Sequence, residues 1–471
     1  MSPLLALFLW LTLLLGLLCF DPAREQKTSL ALWVPTIWMF IVGSRLPAQW
    51  LGGQVGTVAE AAFEEGNALD RVTFTALILL AIGILMSRSL DWGGFFGRNL
   101  ALTAFVFFAL ASVLWSDLPF VAFKRWFRDL GHYLVVFVAL SDPYPTEAVR
   151  TLLRRLGYLL IPLSILLIKY YPALGVGYNP WTGVVVYAGA TEGKNSLGVV
   201  CLVSGLFFFW DTVARWPDRR QFWTRRILFV NLAFLAMTLY LLQIADSQTS
   251  RVCLLIGCLV ILAAHSKAFL RNPRGVTIAI PAFLCLNLIL TFGSGVDIKG
   301  WVAEAVGRNP NLTDRTLIWQ VLLDAHTNPL IGTGYESFWV GPQLRWVWEQ
   351  KETAGLNEAH NGYLETYLNL GMIGLLLLAS FFLASYRAIC RGLSSRYSLA
   401  SLNLALWTVA LVYNVTESAF KWHFMWVAFL LGAIAVPRPS RAGVLAVCAF
   451  EEGNPPEGLL VPSSGAETVP R

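Results

Sequence analysis

Apolar stretches of about 15 to 20 residues recur from one end of the chain to the other, and polar segments separate them. A helix needs about 20 apolar residues to cross a hydrocarbon core of roughly 30 Å. Lipid offers no hydrogen-bond partner to the backbone, whereas a helix satisfies its backbone groups within the span. The pattern therefore predicts an all-α fold, a polytopic membrane helix bundle with about 12 to 13 transmembrane helices.

The predicted spans lie at residues 4–20, 29–43, 72–86, 99–115, 129–140, 152–168, 196–210, 227–245, 252–264, 276–292, 363–389, 398–415 and 422–436. The spans at 29–43 and 129–140 are short enough to be tilted or re-entrant. The span at 4–20 lacks the basic region and the small-residue cleavage site of a signal peptide, and we expect it to be retained. These spans divide the chain into transmembrane helices at 1–292, a large loop at 293–362, three further helices at 363–436 and a mostly disordered tail at 437–471.

The Lys and Arg residues between the spans predict the orientation. Basic residues near span ends face the cytoplasm, and here they alternate cleanly, for example Arg150, Arg154 and Arg155 in one loop and Arg387 and Arg391 in another. This rule places the tail in the cytoplasm. It places the segments at 45–71, 246–250 and 293–362 on the opposite face, which is the periplasmic face of a bacterial inner membrane.

The segment at 293–362 is too polar for a span and longer than a connection requires, so we expect a folded extramembrane unit. Within it, Leu317, Ile318, Val321 and Leu322 recur at helical spacing. We predict an amphipathic helix at 314–326, which either lies on the membrane surface or caps the bundle.

Composition agrees with the pattern, because the chain is 56% hydrophobic and only 14% charged, with a mean hydropathy of +0.60. A soluble domain carries nearer a quarter of charged residues. The 7 cysteines stand singly in the sequence, and we expect neither a disulfide framework nor a metal site. Because of this apolar composition, we expect the lipid bilayer to be a partner of the chain. We expect no nucleic acid partner.

Several cations occupy the face on which the orientation rule disfavours them. They are Lys124, Arg125, Arg128, Lys194, Arg251, Arg308, Arg315 and Arg345. Each alone is compatible with surface charge or with contacts to lipid headgroups. Together they favour an anion site. Arg251 is the most informative, because it opens an apolar span, where a charge usually faces the bundle interior or a water-filled cavity.

A polar group stands before the span at 363–389, in the stretch NEAHNGYLETYLNLGMIGLLLL. Asn361, Glu365 and Asn369 share one helical face, which should turn toward the protein interior because polar groups in hydrocarbon are costly without partners. Gly371 and Gly374 form a small-residue patch that a neighbouring helix could approach. A simple polar helix cap is the alternative interpretation.

A second polar group, YNVTESAFKWHF, places Asn414, Glu417 and Lys421 at helical spacing on the same face of the membrane. Glu417 and Lys421 are also spaced for an ordinary ion pair within one helix. The positive potential of a helix amino terminus disfavours imidazolium, so we expect His360 to remain neutral and available as a base.

These residues resemble a known family. His360-Asn361, followed after nine residues by Gly371-Met-Ile-Gly374, is similar to the signature of the bacterial O-antigen ligase and polymerase superfamily. Supporting motifs are GKNSLG at 193–198, SQTSR at 247–251, DRTLIW at 314–319 and NPLIGTGYESFW at 328–339. The chain looks closest to its exopolysaccharide polymerase branch. Ligases often carry two threonines after the second glycine, and this chain has Leu375 and Leu376, which favours a polymerase.

The resemblance implies transfer of a glycan from an undecaprenyl diphosphate carrier to an acceptor hydroxyl on the periplasmic face, by a membrane glycosyltransferase that uses no metal and no cofactor. His360 would be the base, with Glu358 as an alternative, and Asn361, Glu365 and Glu417 would orient it or the sugar. A diphosphate leaving group needs cations, preferably planar guanidinium groups. The candidates are Arg251, Arg315 and Lys194, and then Arg125 and Arg128.

Three acceptors stay open: a glycan for a polymerase, the lipid A core for an O-antigen ligase, and a protein hydroxyl for a protein O-oligosaccharyltransferase. The sequence does not choose between them. Proteins of polysaccharide export and chain-length control are further implied partners. A transporter of polysaccharide precursors would instead require inverted repeats and interrupted helices near the membrane midplane. The sequence displays neither clearly.

Overall fold

The computed structural model describes residues 1–19, 28–52, 66–178, 183–266, 315–350, 353, 355–394 and 399–435. The predicted span at 276–292, Arg308 and the tail at 437–471 lie outside the described residues. In chain order the helices are α1 Pro3–Cys19, α2 Trp33–Val42, α3 Pro47–Trp50, α4 Ala68–Met86, α5 Trp92–Arg98, α6 Leu100–Ala111, α7 Pro119–Leu140, α8 Pro145–Tyr170, α9 Pro172–Gly175, α10 Lys194–Arg215, α11 Phe222–Ala245, α12 Gln248–His265, α13 Arg315–Leu323, α14 Gly341–Glu349, α15 Gly362–Ser394, α16 Ala400–Tyr413 and α17 Phe424–Ala433.

Six of the described helices are long and apolar enough to cross a membrane, namely α4, α8, α10, α11, α12 and α15. A seventh span forms if α5 and α6 count as one helix bent by 90°. Helices α1, α2, α16 and α17 are apolar but shorter. The chain is therefore an integral, multi-pass membrane protein, and the prediction of an all-α polytopic bundle is confirmed.

Most of the long apolar helices match the predicted spans. Helix α7 begins at Pro119, ten residues before the predicted span at 129–140, so Arg125 and Arg128 belong to this helix. An unpredicted antiparallel hairpin pairs β1, Val176–Tyr178, with β2, Val185–Tyr187. Each strand has only three residues, which is too short for an alternating pattern to stand out in the sequence.

Helices α8 and α10 form the centre of the bundle, because 78% and 83% of their apolar windows are buried. Helix α10 packs against α11 and α12, and α12 packs against α16. At the end of α10 away from Lys194, the buried guanidinium of Arg154 lies 2.7 Å from the carboxylate of Asp211, and Asn231 donates to the same carboxylate over 2.8 Å. These buried polar groups satisfy one another and join three helices.

The segment between α13 and the start of α15 forms a compact layer over one end of α15. Its core consists of Leu322, Ala325, Phe338, Trp339, Leu344, Val347, Ala359 and Leu368. Helix α13 coincides with the predicted amphipathic helix and buries Leu322, while Leu317 and Leu323 stay exposed. The predicted short helices of the large loop are thus confirmed within the described residues.

Candidate active site

His360 stands directly before α15 rather than inside it. The side chain of Asn361 accepts hydrogen bonds from the backbone N–H groups of Tyr363 and Leu364, at 3.0 and 3.1 Å, and so caps the helix. The backbone of His360 has a φ of +49°, which is unusual for a residue with a side chain. Such strained positions cluster at functional sites. Asn361 therefore positions the chain at His360 through its capping contacts.

Two carboxylates approach the imidazole ring of His360. Its Nδ1 lies 2.9 Å from Oε1 of Glu358 and 4.0 Å from Oε2 of Glu417. The His360 side chain is 28% exposed, whereas that of Glu417 is 9% exposed. The ring can therefore meet a substrate while the carboxylates hold its orientation, as in other paired base-and-orienter arrangements.

His360 and Glu358 each shift the pKa of the other. Burial lowers the pKa of His360, but the adjacent Glu358 carboxylate outweighs it, so the pKa is raised above its ordinary value. Burial likewise raises the pKa of Glu358, yet His360 and Lys421 lower it to about 2. The sequence analysis considered only the helix terminus, whereas the Glu358 carboxylate, two residues away, favours the charged form of the ring.

Glu417 lies in the non-helical connection between α16 and α17. Arg315 places its guanidinium 3.4 Å from Oε1 of Glu417 and also donates to the carbonyl of Thr416. Asn195 donates to the same carboxylate, over 3.3 and 3.4 Å to its two oxygens. Burial raises the pKa of Glu417, and Arg315 opposes this effect. Three separate parts of the chain thus meet at Glu417.

The alternative of an ion pair between Glu417 and Lys421 is wrong. Residues 414–423 do not form a helix, and Lys421 reaches Glu365 instead, with Nζ 3.0 Å from Oε1. Trp339 Nε1 donates to the same oxygen over 2.6 Å, and the backbone N–H of Ala359 donates to Oε2 over 3.0 Å. The Glu365 carboxylate is occupied by these contacts, so Glu365 supports the segment that carries His360.

Asn369 and Gly371 of α15 pack against the loop that contains Leu330, Ser337 and Phe338. Asn369 is buried, as the face of Asn361 and Glu365 predicted, and its side-chain oxygen Oδ1 accepts from the backbone N–H groups of Ser337 and Phe338. Gly371 interrupts α15 with a φ of +63°, and a Cβ there would lie 2.3 Å from the backbone of Leu330. The small-residue patch of Gly371 and Gly374 therefore does not serve a neighbouring helix at Gly371, because the loop at 328–332 fills that space.

The Gly374 position is packed from within α15, since a Cβ there would lie 2.2 Å from Cβ of Leu370. The break at Gly371 brings these two residues together. Its exposed backbone groups find partners in the loop, because the N–H groups of Met372 and Ile373 donate to the carbonyls of Pro329 and Leu330. Both predicted glycines thus belong to a helix break that the loop stabilises.

The structure brings some of the predicted cations to this site. Arg315 contacts Glu417, and Lys194 is half-buried beside Asn195 at the start of α10. The guanidinium of Arg251 lies elsewhere, 2.7 Å from the carbonyl oxygen of Gln243 and 3.4 Å from the carboxylate of Asp246.

The cations of α7 form a second basic group. Arg125 donates to the carbonyl of Glu336. Arg128 lies 2.8 Å from the carboxylate of Asp129 and stacks on Trp422, with its guanidinium carbon 4.4 Å from the ring centroid. Trp422 is the residue after Lys421, so this group borders the site through that connection.

Glu358, His360 and Glu417 also have the geometry of a metal site, since their ligand atoms lie within 4.8 Å of one another. Carboxylate and imidazole ligands suit a divalent cation. Such an ion would compete with Arg315 for Glu417, and the positive charges of Arg315 and Lys421 already offset the carboxylates.

The short motifs that carried the family resemblance converge in space. GKNSLG supplies Asn195, DRTLIW supplies Arg315, and SQTSR supplies Thr249, whose hydroxyl lies 3.0 Å from that of Thr416. Trp319 of DRTLIW donates to the carbonyl of Ala359, directly before His360. Motifs far apart in the sequence thus surround a single histidine.

Sequence reasoning missed several supporting residues. Asn195 lay inside a recognised motif and could have been named from it. Ser418, which accepts from the backbone N–H of Asn361, and Trp339, which donates to Glu365, also lay inside quoted motifs but were not named from them. Their roles depend on contacts between segments that are distant in the chain.

Comparisons with known proteins agree with the family resemblance of the sequence. A family model described as O-antigen ligase matches residues 232–379, a range that includes His360, Gly371 and Gly374. The exopolysaccharide production protein ExoQ of Rhizobium meliloti (strain 1021) is 25% identical over 374 residues, which cover 75% of this chain and 80% of that protein. Together with the converging motifs, these matches confirm that the chain resembles the O-antigen ligase and polymerase family.

Proposed function

We propose that this protein is a repeat-unit polymerase of a bacterial exopolysaccharide or O-antigen. It would transfer glycan from an undecaprenyl diphosphate carrier to an acceptor hydroxyl, at the periplasmic face of the inner membrane. The observation that carries the proposal is the partly exposed His360 between Glu358 and Glu417, with the guanidinium of Arg315 beside it, at one end of a membrane bundle. The name of the related exopolysaccharide production protein supports the polymer as the product.

The proposed reaction is one displacement at the anomeric carbon of the donor sugar. The acceptor oxygen forms a bond to that carbon while the bond from the carbon to the diphosphate oxygen breaks, and the configuration inverts. The hydroxyl proton passes to the unprotonated ring of His360. The leaving carrier diphosphate takes the electron pair of the broken bond. Glu358 and Glu417 keep the ring oriented and stabilise the imidazolium that forms.

Negative charge develops on the diphosphate as it leaves, and cations stabilise it. Arg315 contacts Glu417, and Lys194 is the residue before Asn195, which also contacts Glu417; these two cations are the first candidates for this role. Arg125 and Arg128 would widen the basic surface toward α7, and Arg251 is a candidate at the start of α12. The conformation of bound substrate would decide which of these reaches the diphosphate.

A lipid-linked donor also needs an apolar path beside the site. A cavity of about 270 Å³ lies between α15 and α16, and almost all of its lining is apolar. Tyr363 lines its upper end, two residues after Asn361, and Leu378, Phe382 and Trp407 line the rest. A polyisoprenyl chain in this cavity would place its diphosphate near His360.

Ligase and protein oligosaccharyltransferase activities use the same donor chemistry and differ in the acceptor. Leu375 and Leu376, which stand where ligases often have threonines, favour polymerase over these two. A transporter of polysaccharide precursors is less well supported, because the polar groups of the site gather at one end of the bundle and not at its middle.

Deletion of the gene, followed by complementation, tests the proposal. We expect long surface polysaccharide to disappear and single repeat units to accumulate on the lipid carrier. The wild-type gene should restore the polymer, and His360→Ala should not, although its protein level in the membrane should be normal. Long chains stranded on the carrier would indicate a ligase instead. Full restoration by His360→Ala would remove the role assigned to His360.

A further inference from the structure

A second cavity, of about 100 Å³, lies beside the His360 cluster and has no role in the chemistry described so far. Its walls come from three parts of the chain: the turn after α2 with Ser44, the segment that leads into α10 with Glu192 and Ser196, and the connection before α17 with His423. We name it the Ser196 cavity.

The Ser196 cavity and the His360 cluster share their walls. At the start of α10, Asn195 donates to Glu417 in the cluster, while the next residue, Ser196, lines the cavity. The Glu358 carboxylate interacts electrostatically with both His360 and His423. The cavity and the His360 cluster therefore border the same turn of α10.

The cavity walls are held in place from outside. The guanidinium of Arg45 donates to the carbonyls of Thr191 and Gly189, over 3.0 and 3.2 Å, and so ties the turn after α2 to the segment before α10. The same guanidinium stacks on Trp50, 5.4 Å from the ring centroid. A site whose walls are pinned in this way loses little freedom when a ligand binds.

The polar groups of the Ser196 cavity indicate the chemistry of its ligand. Nδ1 of His423 accepts a hydrogen bond from the backbone N–H of Met425, over 3.2 Å, so the ring carries its proton on Nε2 and is neutral. Ser196 offers a hydroxyl, and Glu192 offers a carboxylate. Among the described residues that line the cavity, none is Lys or Arg.

This set of groups suits a neutral ligand with several hydroxyls. Arg45 interacts electrostatically with Glu192, and its guanidinium also donates to the carbonyls of Thr191 and Gly189, so the two charges offset one another and leave no cation for an anion such as the carrier diphosphate. A sugar ring, in contrast, can donate to Glu192 and accept from His423, and Ser196 can do either. Arg315, the candidate for the donor diphosphate that contacts Glu417, does not line this cavity, so the sugar in the cavity is assigned to the acceptor.

We propose that the Ser196 cavity is the subsite for the acceptor sugar, which it holds so that one hydroxyl faces His360. The inference rests on the proposed function and adds to it the place where the growing or incoming glycan binds. Glu192, Ser196 and His423 are the residues that select the acceptor.

The test measures binding, because binding separates this subsite from the transfer reaction. The probe is the set of oligosaccharides obtained by mild acid hydrolysis of the polysaccharide that disappears in the gene deletion. Their affinity is measured for the purified full-length protein in detergent and for Glu192→Gln and Ser196→Ala. Asp218→Asn serves as the matched control, since it removes a carboxylate beyond the opposite end of α10.

We expect Glu192→Gln to weaken binding about tenfold or more, because a hydrogen bond to a charged group is lost, and Ser196→Ala to weaken it by roughly threefold. Asp218→Asn should bind as the wild type does. The thermal unfolding midpoint of each variant should stay unchanged, which excludes misfolding as the cause. His360→Ala should still bind the oligosaccharides while transfer is lost.

The outcomes distinguish the two proposals. If deletion leaves the surface polysaccharide intact, the proposed function fails and the subsite fails with it. If the polysaccharide is lost but the wild-type protein does not bind the fragments, or if both cavity variants bind as well as Asp218→Asn, the subsite alone is overturned and the function stands.

Discussion

Nζ of Lys421 lies 3.0 Å from Oε1 of Glu365, although Glu417 stands four residues before Lys421 in the chain. This pair ties the connection between α16 and α17 to the first turn of α15. Because Arg315 takes Glu417, each of the two carboxylates has a cation from a different segment. Helix α13 and the first turn of α15 are therefore both joined to the connection between α16 and α17, close to His360.

The pair of Glu365 and Lys421 should contribute strongly to stability. Their side chains are 5% and 17% exposed, so Glu365→Gln leaves a nearly buried ammonium without its partner. Removing one member of a buried pair costs about 3 to 5 kcal/mol. We expect a clear fall in the thermal unfolding midpoint of the purified protein. Glu349→Gln, at an exposed position of α14, is the control, and an equal midpoint for the two variants would contradict the prediction.

The pH dependence of transfer should report the pair of His360 and Glu358. The rate should rise with pH as the ring of His360 loses its proton. Because Glu358 raises the pKa of His360, Glu358→Gln should lower that pKa and move the acid limb of the profile to lower pH. The measurement is the initial rate of transfer between pH 5 and 9 with membranes that contain each variant. A shift to higher pH, or no shift, would oppose the assignment.

Gly371 should not tolerate a side chain. Its backbone, with φ of +63° and ψ of −164°, lies in a region that essentially only glycine adopts, and a Cβ would meet the backbone of Leu330. Gly371→Ala should cost about 1 to 3 kcal/mol from backbone strain alone, and more from the clash. The yield of folded protein and its unfolding midpoint test this. Gly83→Ala in α4, where nothing lies within 4 Å of the added carbon, should have little effect.

Arg315 and Arg251, which were both predicted to bind the diphosphate, should differ in their importance for transfer. Arg315→Lys keeps the charge but loses the planar fork that touches Thr416 and Glu417, and we expect at least a tenfold loss of transfer. Arg251→Lys should cost less, because that guanidinium contacts Gln243 and Asp246. Transfer rates at saturating donor compare the two variants. A larger loss for Arg251→Lys would indicate that the diphosphate binds at Arg251, near the start of α12.

The apolar pattern predicted the helices well, because hydrocarbon imposes both their length and their composition. Helix α7 was the least well placed, since Arg125, Arg128 and Asp129 interrupt its apolar run. Their cost is offset by contacts to Glu336, Trp422 and Tyr335, and those partners cannot be recognised from α7 alone. A sequence scan sees the charge of such a residue without its partner.

The buried face of Glu365 and Asn369 followed from helical periodicity. The partners of these residues did not follow. Helical spacing offered Glu417 as an alternative partner of Lys421, but the connection at 414–423 is not helical. Gly371 was given a helical neighbour because a positive φ cannot be recognised from the residue type alone.

The connection at 414–423 is also nearly the last part of the described chain to leave the ribosome. Until it is made, Asn195 and Arg315 have no Glu417 to bind, and the backbone N–H of Gly362 lacks the two carbonyls that it meets there. Assembly of the site thus waits until residues 414–423 have been synthesised. A nascent chain that stops before residue 414 holds a set of membrane helices without a completed centre, so the helices reach the bilayer before the site exists.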